Sequence, residues 1–599
     1  MGMGADFEDR TDFEDADRGL VASLDPMVIK AADGRVVWDM NWDFLDADCP
    51  PSANPSLWRQ AQLTARHGLY QVTDGTYQIR GFDMSNMTLV EGDQGVIVID
   101  PLISAEVAAA ALALYRTHRG DRPVTAVIYT HSHIDHFGGV LGVVDPDTTV
   151  PIYAPEHFLD HAVAENVYAG TAMLRRSYYY AAVAVPKSPT GTLGIGLGPG
   201  GSTGTAGLIA PTHDITHTGQ EEVIDGVRLQ FQMTPGTEAP AEMNFLLPDR
   251  RVLCLAENAT RNMHNILTLR GAEVRDARMW SRYLAEAIEL FAGKADVAFA
   301  SHHWPTWGGE AIVEFLTAQR DLYAYLHDQT LRLLNKGHVG SEIAELVELP
   351  PGLDKAWHTH GYYGSASHNI KAIYQRYLGW YDGNPAHLWQ HPPAATAARY
   401  VEVIGGVNAT VTKAKQYLDN GDLRFAAELA SHAVFAAPED SAARELLASV
   451  LERLGYGAEN ATWRNCYLTG AHELRTGTIE PTYTDPAGLA PALTTTQLFD
   501  SVAIRINGPK AWNETLAINW RLTDENRHYR MELSNGALIH HPTDATANAD
   551  VSIALTRSQL VGLLAGKTDG VAIDGDAGVL TRLIGLLDEP DPTFAIVTP

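Results

Sequence analysis

The chain has 599 residues, 45% of them hydrophobic and 20% charged, an ordinary balance for a globular protein. At roughly 100–200 residues per domain, three or four domains fit, each with room for a core. Lys and Arg number 44 against 73 Asp and Glu, a formal charge of −29; this argues against nucleic acid and anionic membrane surfaces as partners, and an anionic substrate would need a locally basic pocket.

The first 25 residues are charged and aperiodic, and are expected to form a mobile arm. The acidic start, Met1 to Asp17, has neither a basic n-region nor an apolar h-region, so no secretory signal is expected. Tyr77–Phe82 and Met87–Val90 read as strands. Val96–Ile99 is a buried strand ending at Asp100-Pro101, Ala105–Tyr115 an Ala-rich helix, and Val124–Tyr129 the next buried strand. That order predicts layered α/β packing. Gly191–Gly207 holds eight glycines. It has no Gly-Lys-Ser/Thr step, so it is not a phosphate loop; it reads as a flexible surface loop, or as a mobile lid over a site.

From about Gly340 the pattern turns helical. Ala398–Leu418, Asp422–Ala437 and Ser441–Leu454 read as consecutive helices with small apolar faces, like tetratricopeptide hairpins. From about Thr494 it changes to alternating strands. Leu516, Ile518, Trp520 and Leu522 alternate with polar residues, as do Tyr529, Met531 and Leu533; Asn535-Gly536 supplies a hairpin turn, and Val551–Leu555 is a further strand. Short helices at Ser558–Ala565 and Asp576–Leu587 complete a small α+β domain. Cys49, Cys254 and Cys466 are too few and too scattered for a disulfide framework. No run reaches the ~18 apolar residues of a membrane span, so the cytoplasm is the expected location.

The chemistry concentrates in Thr130-His131-Ser132-His133-Ile134-Asp135-His136-Phe137-Gly138-Gly139, directly after a buried strand. In extended geometry His131 and His133 point the same way and can share one metal. The turn at the glycines redirects Asp135 and His136 to a second. Imidazole and carboxylate together suit zinc or a similar divalent ion.

This His-x-His-x-Asp-His motif resembles the signature of the metallo-β-lactamase superfamily, which implies an αββα sandwich with metals at one edge. The superfamily's third ligand of the first metal commonly lies in a Pro-Gly-His-Thr element. Here Thr234-Pro235-Gly236-Thr237-Glu238 stands in its place, with Glu238 the nearest ligand type. Glu257 stands where a bridging Asp is common, and His302, rather than His303, fits the last ligand because it follows directly on the strand Val297–Ala300. The two glutamates resemble one branch, the bacterial alkylsulfatases or type III sulfatases, which hydrolyse dodecyl sulfate and related esters. Asn262-Met263-His264-Asn265 with Arg270 resembles that branch's sulfate-binding segment. Asn166-Val167-Tyr168-Ala169-Gly170 with Arg175-Arg176 resembles its substrate-side helix, and Gly364–Asn369 and Tyr377–Pro385 its closing segment.

The resemblance implies two zinc ions per chain on His131, His133, Glu238, Asp135, His136 and His302, with Glu257 bridging and catalytic. It implies substrate contacts from Asn265, Arg270, Tyr168 and Asn262, and His368 as an acid for the ester oxygen, with Trp380 near the same mouth. The expected organisation is a catalytic domain over 26–338, an all-α dimerisation domain over 340–478 that makes a homodimer, and a C-terminal α+β domain over 485–599 similar to sterol carrier protein 2. The expected reaction is hydrolysis of an alkyl sulfate to an alcohol and inorganic sulfate. Another ester, lactone or thioester is the alternative, distinguished by its lack of need for Asn265 and Arg270. A non-catalytic lipid-binding scaffold would not need seven metal ligands.

Overall fold

The computed structural model describes residues 6–147, 149–480, 485–544, 547–567 and 570–599. Two sheets face each other in its first half. The first has eight strands, with Thr76–Arg80, Met87–Glu91, Val96–Ile99, Val124–Ile128 and Ile152–Pro155 adjacent in that order. The second has six, running in chain order from Glu221–Ile224 to Thr306–Trp307.

Val96–Ile99 shows why continuous apolar runs form these strands. All four residues are buried. Ile97 and Ile99 point into the layer between the sheets, with Ile128, Phe231, Phe245 and Cys254. Val96 and Val98 point outwards, under the helix Ala105–Arg119 through Val107, Ala111 and Tyr115. The period of two puts alternate residues in two different cores. The second sheet is covered by Ala277–Phe291 and Gly309–Leu334, packed through Trp280, Leu284 and Leu322 on Leu246, Leu253 and Ala298. The result is helix, sheet, sheet, helix, as expected.

The second segment is helical. The single helix expected over Ala398–Leu418 is instead two, Pro393–Ile404 and Val407–Asp419. Gly405 and Gly406 between them adopt φ of 111° and 98°, a left-handed break that glycine makes cheaply. Leu423–Ala436, Ser441–Gly457 and Ala461–Thr476 follow, capped by the side chains of Asp422, Asp440 and Asn460. The third segment is a five-stranded sheet in the order Ala537–Pro542, Arg527–Ser534, Leu516–Leu522, Val551–Leu555, Ala572–Gly575. Asn535 and Gly536, with φ of 51° and 76°, make the expected two-residue hairpin turn.

Two expectations are corrected. Residues 6–25 are not an arm: Thr11–Asp17 is a helix whose Phe13 and Ala16 are buried against Leu63 and Trp304, and Asp12 pairs with Arg59 at 3.0 Å. Residues 1–5 lie outside the described residues. The glycine-rich stretch is no surface loop either, since Thr192–Pro199 is buried. A Cβ on Gly196 would sit 2.3 Å from the Tyr362 carbonyl, and one on Gly198 2.3 Å from that of Met84. These glycines serve close backbone approach, not flexibility.

Candidate metal centre

The strand Val124–Ile128 runs into the histidine motif at its carboxyl end, and the single turn Ile134–His136 swings Asp135 and His136 sideways. Gly138 and Gly139 let the loop 101–104 lie against this turn: a Cβ there would be 2.3 Å from the Ile103 carbonyl or 2.1 Å from that of Pro101. Glu238, Glu257 and His302 come from three loops that leave the facing sheet after Met233, Cys254 and Phe299. A bridge between His131 and Glu242 joins the two sheets at this edge.

Two donor groups converge here. His131, His133, Glu238 and Glu257 each place one ligand-type atom within 4.8 Å of the others, and so do Asp135, His136, Glu257 and His302. Glu257 belongs to both. Its Oε2 lies 3.3, 3.2 and 3.1 Å from Nε2 of His131, His136 and His302. Glu238 Oε2 lies 2.8 Å from His133 Nδ1, and Asp135 Oδ2 3.0 Å from His136 Nε2.

Outer contacts aim these donors. His136 Nδ1 donates to Asp100 Oδ2 at 2.9 Å, and His302 Nδ1 to the Met84 carbonyl at 2.8 Å. His131 Nδ1 donates to Thr130 Oγ1, whose own proton goes to Asp100. In that network Nε2 of all three rings is a free lone pair facing Glu257. Those three Nε2 atoms and Glu238 Oε2 are buried with no hydrogen-bond partner, an arrangement costing about 1–3 kcal/mol per atom unless something satisfies them. Burial pushes the His133 pKa down, but Glu238 and Glu165 overcome it and raise it to about 10. Orphaned N and O lone pairs in a field that favours positive charge fit divalent cations.

Glu242, buried behind the ligands, ties their loops together. It accepts from the amides of Glu238 and Ala239 and the hydroxyl of Thr237 on one loop, and from the amide of Glu257 on the other. Arg275 clamps Glu238, donating to its backbone carbonyl and, at 2.5 Å, to its carboxylate. Burial opposes ionisation of Glu238, but Arg275 together with His133 and His131 outweighs it and holds the carboxyl down at about 2. His264 donates Nε2 to Glu257 Oε1 at 2.8 Å.

A cavity of about 670 Å³ opens from this edge. His133, Asp135, Glu238 and Glu257 form its floor, with Arg270 and Arg275 beside them; Trp38, Ile103, Leu174, Val183 and Leu197 contribute apolar wall. Arg270 lines the cavity beside the floor, paired to Glu165 at 2.9 Å. Asn265 stands behind it, its side-chain oxygen taken by Arg275 and Thr268.

Four expected residues are placed elsewhere. Asn262 points away, donating to the Gly196 carbonyl. Tyr168 is 38% exposed and donates to Asp500 of the third segment. His368 is not part of the cavity wall. Its Nδ1 accepts from Trp463 Nε1 at 2.9 Å, and burial lowers its pKa to about 3, so it is a neutral ring and no acid near neutral pH. Trp380 is 77% exposed and also outside the wall. His303 adopts φ +63° and turns to Gly196 and Gln60, leaving His302 alone at the centre.

Asp100, Glu165, Glu242, His264 and Arg275 were missed as functional residues. Asp100, at a strand end thirty residues before the motif, was visible as a position; Glu165 directly precedes the segment Asn166–Gly170 and His264 lies inside Asn262–Asn265; Glu242 and Arg275 carry no sequence signal.

Two facing sheets with paired donor sets on one edge define a metallo-β-lactamase-fold metal centre, and the metallo-beta-lactamase superfamily matches residues 80–302. The alkyl sulfatase dimerisation family matches 339–477 and the alkyl sulfatase C-terminal family 484–599. The chain is 46% identical to a linear primary-alkylsulfatase of Pseudomonas sp, over 99% of this chain and 90% of that one. It is 45% identical to the alkyl/aryl-sulfatase BDS1 of Saccharomyces cerevisiae, over 99% and 94%. The solved structure of the stereoselective inverting sec-alkylsulfatase Pisa1 from Pseudomonas sp. superposes with a TM-score of 0.97 at 44% identity, covering 99% of this chain and 96% of that one. The chain belongs to the alkylsulfatase family, enzymes that hydrolyse alkyl sulfate esters.

Proposed function

We propose that this chain hydrolyses single-chain alkyl sulfates with two zinc ions, one on His131, His133 and Glu238, the other on Asp135, His136 and His302, with Glu257 shared. The observation that carries this reading is the set of orphaned, buried imidazole nitrogens around one carboxylate oxygen. The ions would supply Lewis acidity towards water and towards the sulfate oxygens. Three carboxylates against two divalent ions leave a formal charge of about +1 at the floor.

The protein's own groups do the rest. Arg270 offers a planar fork to the sulfate oxygens. Its pairing with Glu165 holds the fork in place. Arg275 contributes positive charge behind Glu238, and Asn265 keeps Arg275 in position. The apolar wall takes the alkyl chain and excludes water from around it.

The helical segment is proposed to form a homodimer. Trp380, Leu388, Trp389 and Val403 are 77%, 58%, 98% and 86% exposed, a large apolar display for a free surface. Light scattering should give about twice 65.1 kDa, and Trp389→Lys should shift the chain towards monomer. The three free cysteines are consistent with the reducing cytoplasm as the proposed location; no helix among the described residues is long and apolar enough to cross a membrane.

The central test strips the protein with a chelator and returns zinc stepwise, following dodecyl sulfate hydrolysis. Activity should need two equivalents per chain. Full activity at one equivalent or fewer would refute the paired centre.

A further inference from the structure

The outer wall of the cavity is built by a part of the chain far from the metal motif. Pro590 and Pro592, close to the C-terminus, line it together with residues of the helix Gly170–Tyr180. The chain reaches them from the third segment, where Leu587 bridges Ile506. It then lies along Gly170–Tyr180 and Ala461–Thr476.

A buried ion pair holds this tail. Arg175 and Glu473 are 1% and 3% exposed, and meet at 2.5 Å. Each also grips the tail's backbone. Arg175 Nε donates to the Phe594 carbonyl at 3.0 Å, and Glu473 Oε1 accepts from the Ile596 amide at 3.2 Å. The guanidinium lies 5.8 Å from the Phe594 ring centre and 5.4 Å from that of Tyr179. Val597 settles on Gly470: a Cβ there would meet its Cγ1 at 3.3 Å. Val597 also joins the apolar cluster of Leu447, Ala471 and Leu474. Arg175, singled out in the sequence with the substrate-side helix, is therefore one half of a two-point clasp on main-chain atoms. One partner stands on the cavity's own wall helix, the other on the last helix of the dimerisation segment.

The position of this clasp decides what it can do. It touches none of the proposed metal ligands, and the tail contributes only the two prolines to the cavity, away from its polar floor. Nothing in its geometry bears on the sulfate. It bears on the far part of a bound chain, where added methylenes would be covered from water.

We propose that Arg175 and Glu473 are specificity-determining positioning residues: by clasping the C-terminal tail they hold Pro590 and Pro592 as the outer wall, and so set the preference for long alkyl chains. This rests on the reading that the alkyl chain lies in the cavity. A clasp that acts on chain length must move KM for long substrates and leave short ones and the metals alone.

The test uses the full-length zinc-loaded protein and two variants, a chain ending at Glu589 and Val597→Asp. Truncation leaves Arg175 and Glu473 paired, and so avoids the cost of stranding one buried charge; Val597→Asp unseats the tail without removing it. KM and kcat are measured for hexyl, octyl, decyl and dodecyl sulfate, together with zinc content. A control, Leu174→Gln, changes the wall away from the tail. The expected result is a rise in KM of at least five-fold for dodecyl sulfate, less than two-fold for hexyl sulfate, and unchanged kcat and zinc in both tail variants. If Leu174→Gln raises KM for dodecyl sulfate while both tail variants leave the profile flat, the clasp proposal falls and the cavity reading stands. If none of the three alters chain-length preference, both fall. Equal losses at every chain length in both tail variants would make the tail a general stabiliser and overturn the proposal.

Discussion

The floor of the cavity and its outer wall are built in opposite ways. The metal donors at and behind the floor follow the ends of strands of two facing sheets, and further contacts aim several of them: Asp100 on His136, Met84 on His302, Arg275 on Glu238. The outer wall is assembled from pieces outside those two sheets, the short strand Val36–Asp39, the helix Gly170–Tyr180 and the tail at Pro590 and Pro592. Rigid strand ends can hold several charged groups to within fractions of an ångström. Loops and tails cannot, but they change without disturbing the sheets. The comparison assigns chemistry to the floor and chain discrimination to the wall.

Substitutions should separate the two. The largest effect is expected from Glu257→Ala, which removes the carboxylate shared by both donor groups. Zinc content should drop below two per chain, and turnover of every alkyl sulfate should fall by more than about 100-fold, beyond the 10–100-fold typical of outer contacts. A variant with two zinc ions and near-normal turnover would end the bridging role.

Next is Arg270→Ala. Loss of a buried charge-assisted contact costs about 2–5 kcal/mol, or about 30- to 5,000-fold in kcat/KM. The loss should be the same for hexyl and dodecyl sulfate, with zinc content kept. A loss that grew with chain length would move Arg270 from the floor to the wall.

Glu242→Ala should weaken zinc affinity by about 10–100-fold, because four donors on the two glutamate loops lose their acceptor. Excess zinc should restore most of the turnover. Unchanged zinc affinity, measured by chelator competition, would show that the loops hold themselves.

The smallest effect on activity belongs to His368→Gln, which keeps an acceptor near Trp463. If His368 lies off the reaction path, the pH profile of kcat should not move. Stability is where this histidine acts. Burial, and after it Lys371, lower its pKa from 6.5 to about 3. A base depressed on folding contributes stability that is full above its unfolded value near 6.5 and is lost as pH falls towards 3. The slope is at most about 1.4 kcal/mol per pH unit. The parent should therefore lose more melting temperature than the variant between pH 7 and pH 5. Equal losses would place the proton elsewhere.

What could be read without a structure follows from how local each signal is. Val96–Ile99 and Val124–Ile128 are continuous apolar runs, and a strand buried on both faces needs nothing else. The histidine motif packs its donors into six residues, so their convergence is nearly a matter of backbone geometry. Asn535-Gly536 names its own turn. Glu238, Glu257 and His302 were legible only beside a resemblance, since each is one carboxylate or imidazole among many until a second sheet carries it across. The tertiary structure alone decided the remainder. Phe13 looks like part of an arm until Leu63 and Trp304 cover it. The glycines of 191–198 look flexible until Tyr362 and Met84 press on them. His368 looks like an acid until Trp463 takes its nitrogen, and Arg175 looks like a surface charge until Glu473 and the tail enclose it, 298 and 419 residues further along the chain. Chain composition specifies what a residue can do. Whether it is buried, paired or facing a cavity depends on partners hundreds of residues away, and in this protein such partners decided which charged groups stand at the floor, which hold the wall, and which do neither.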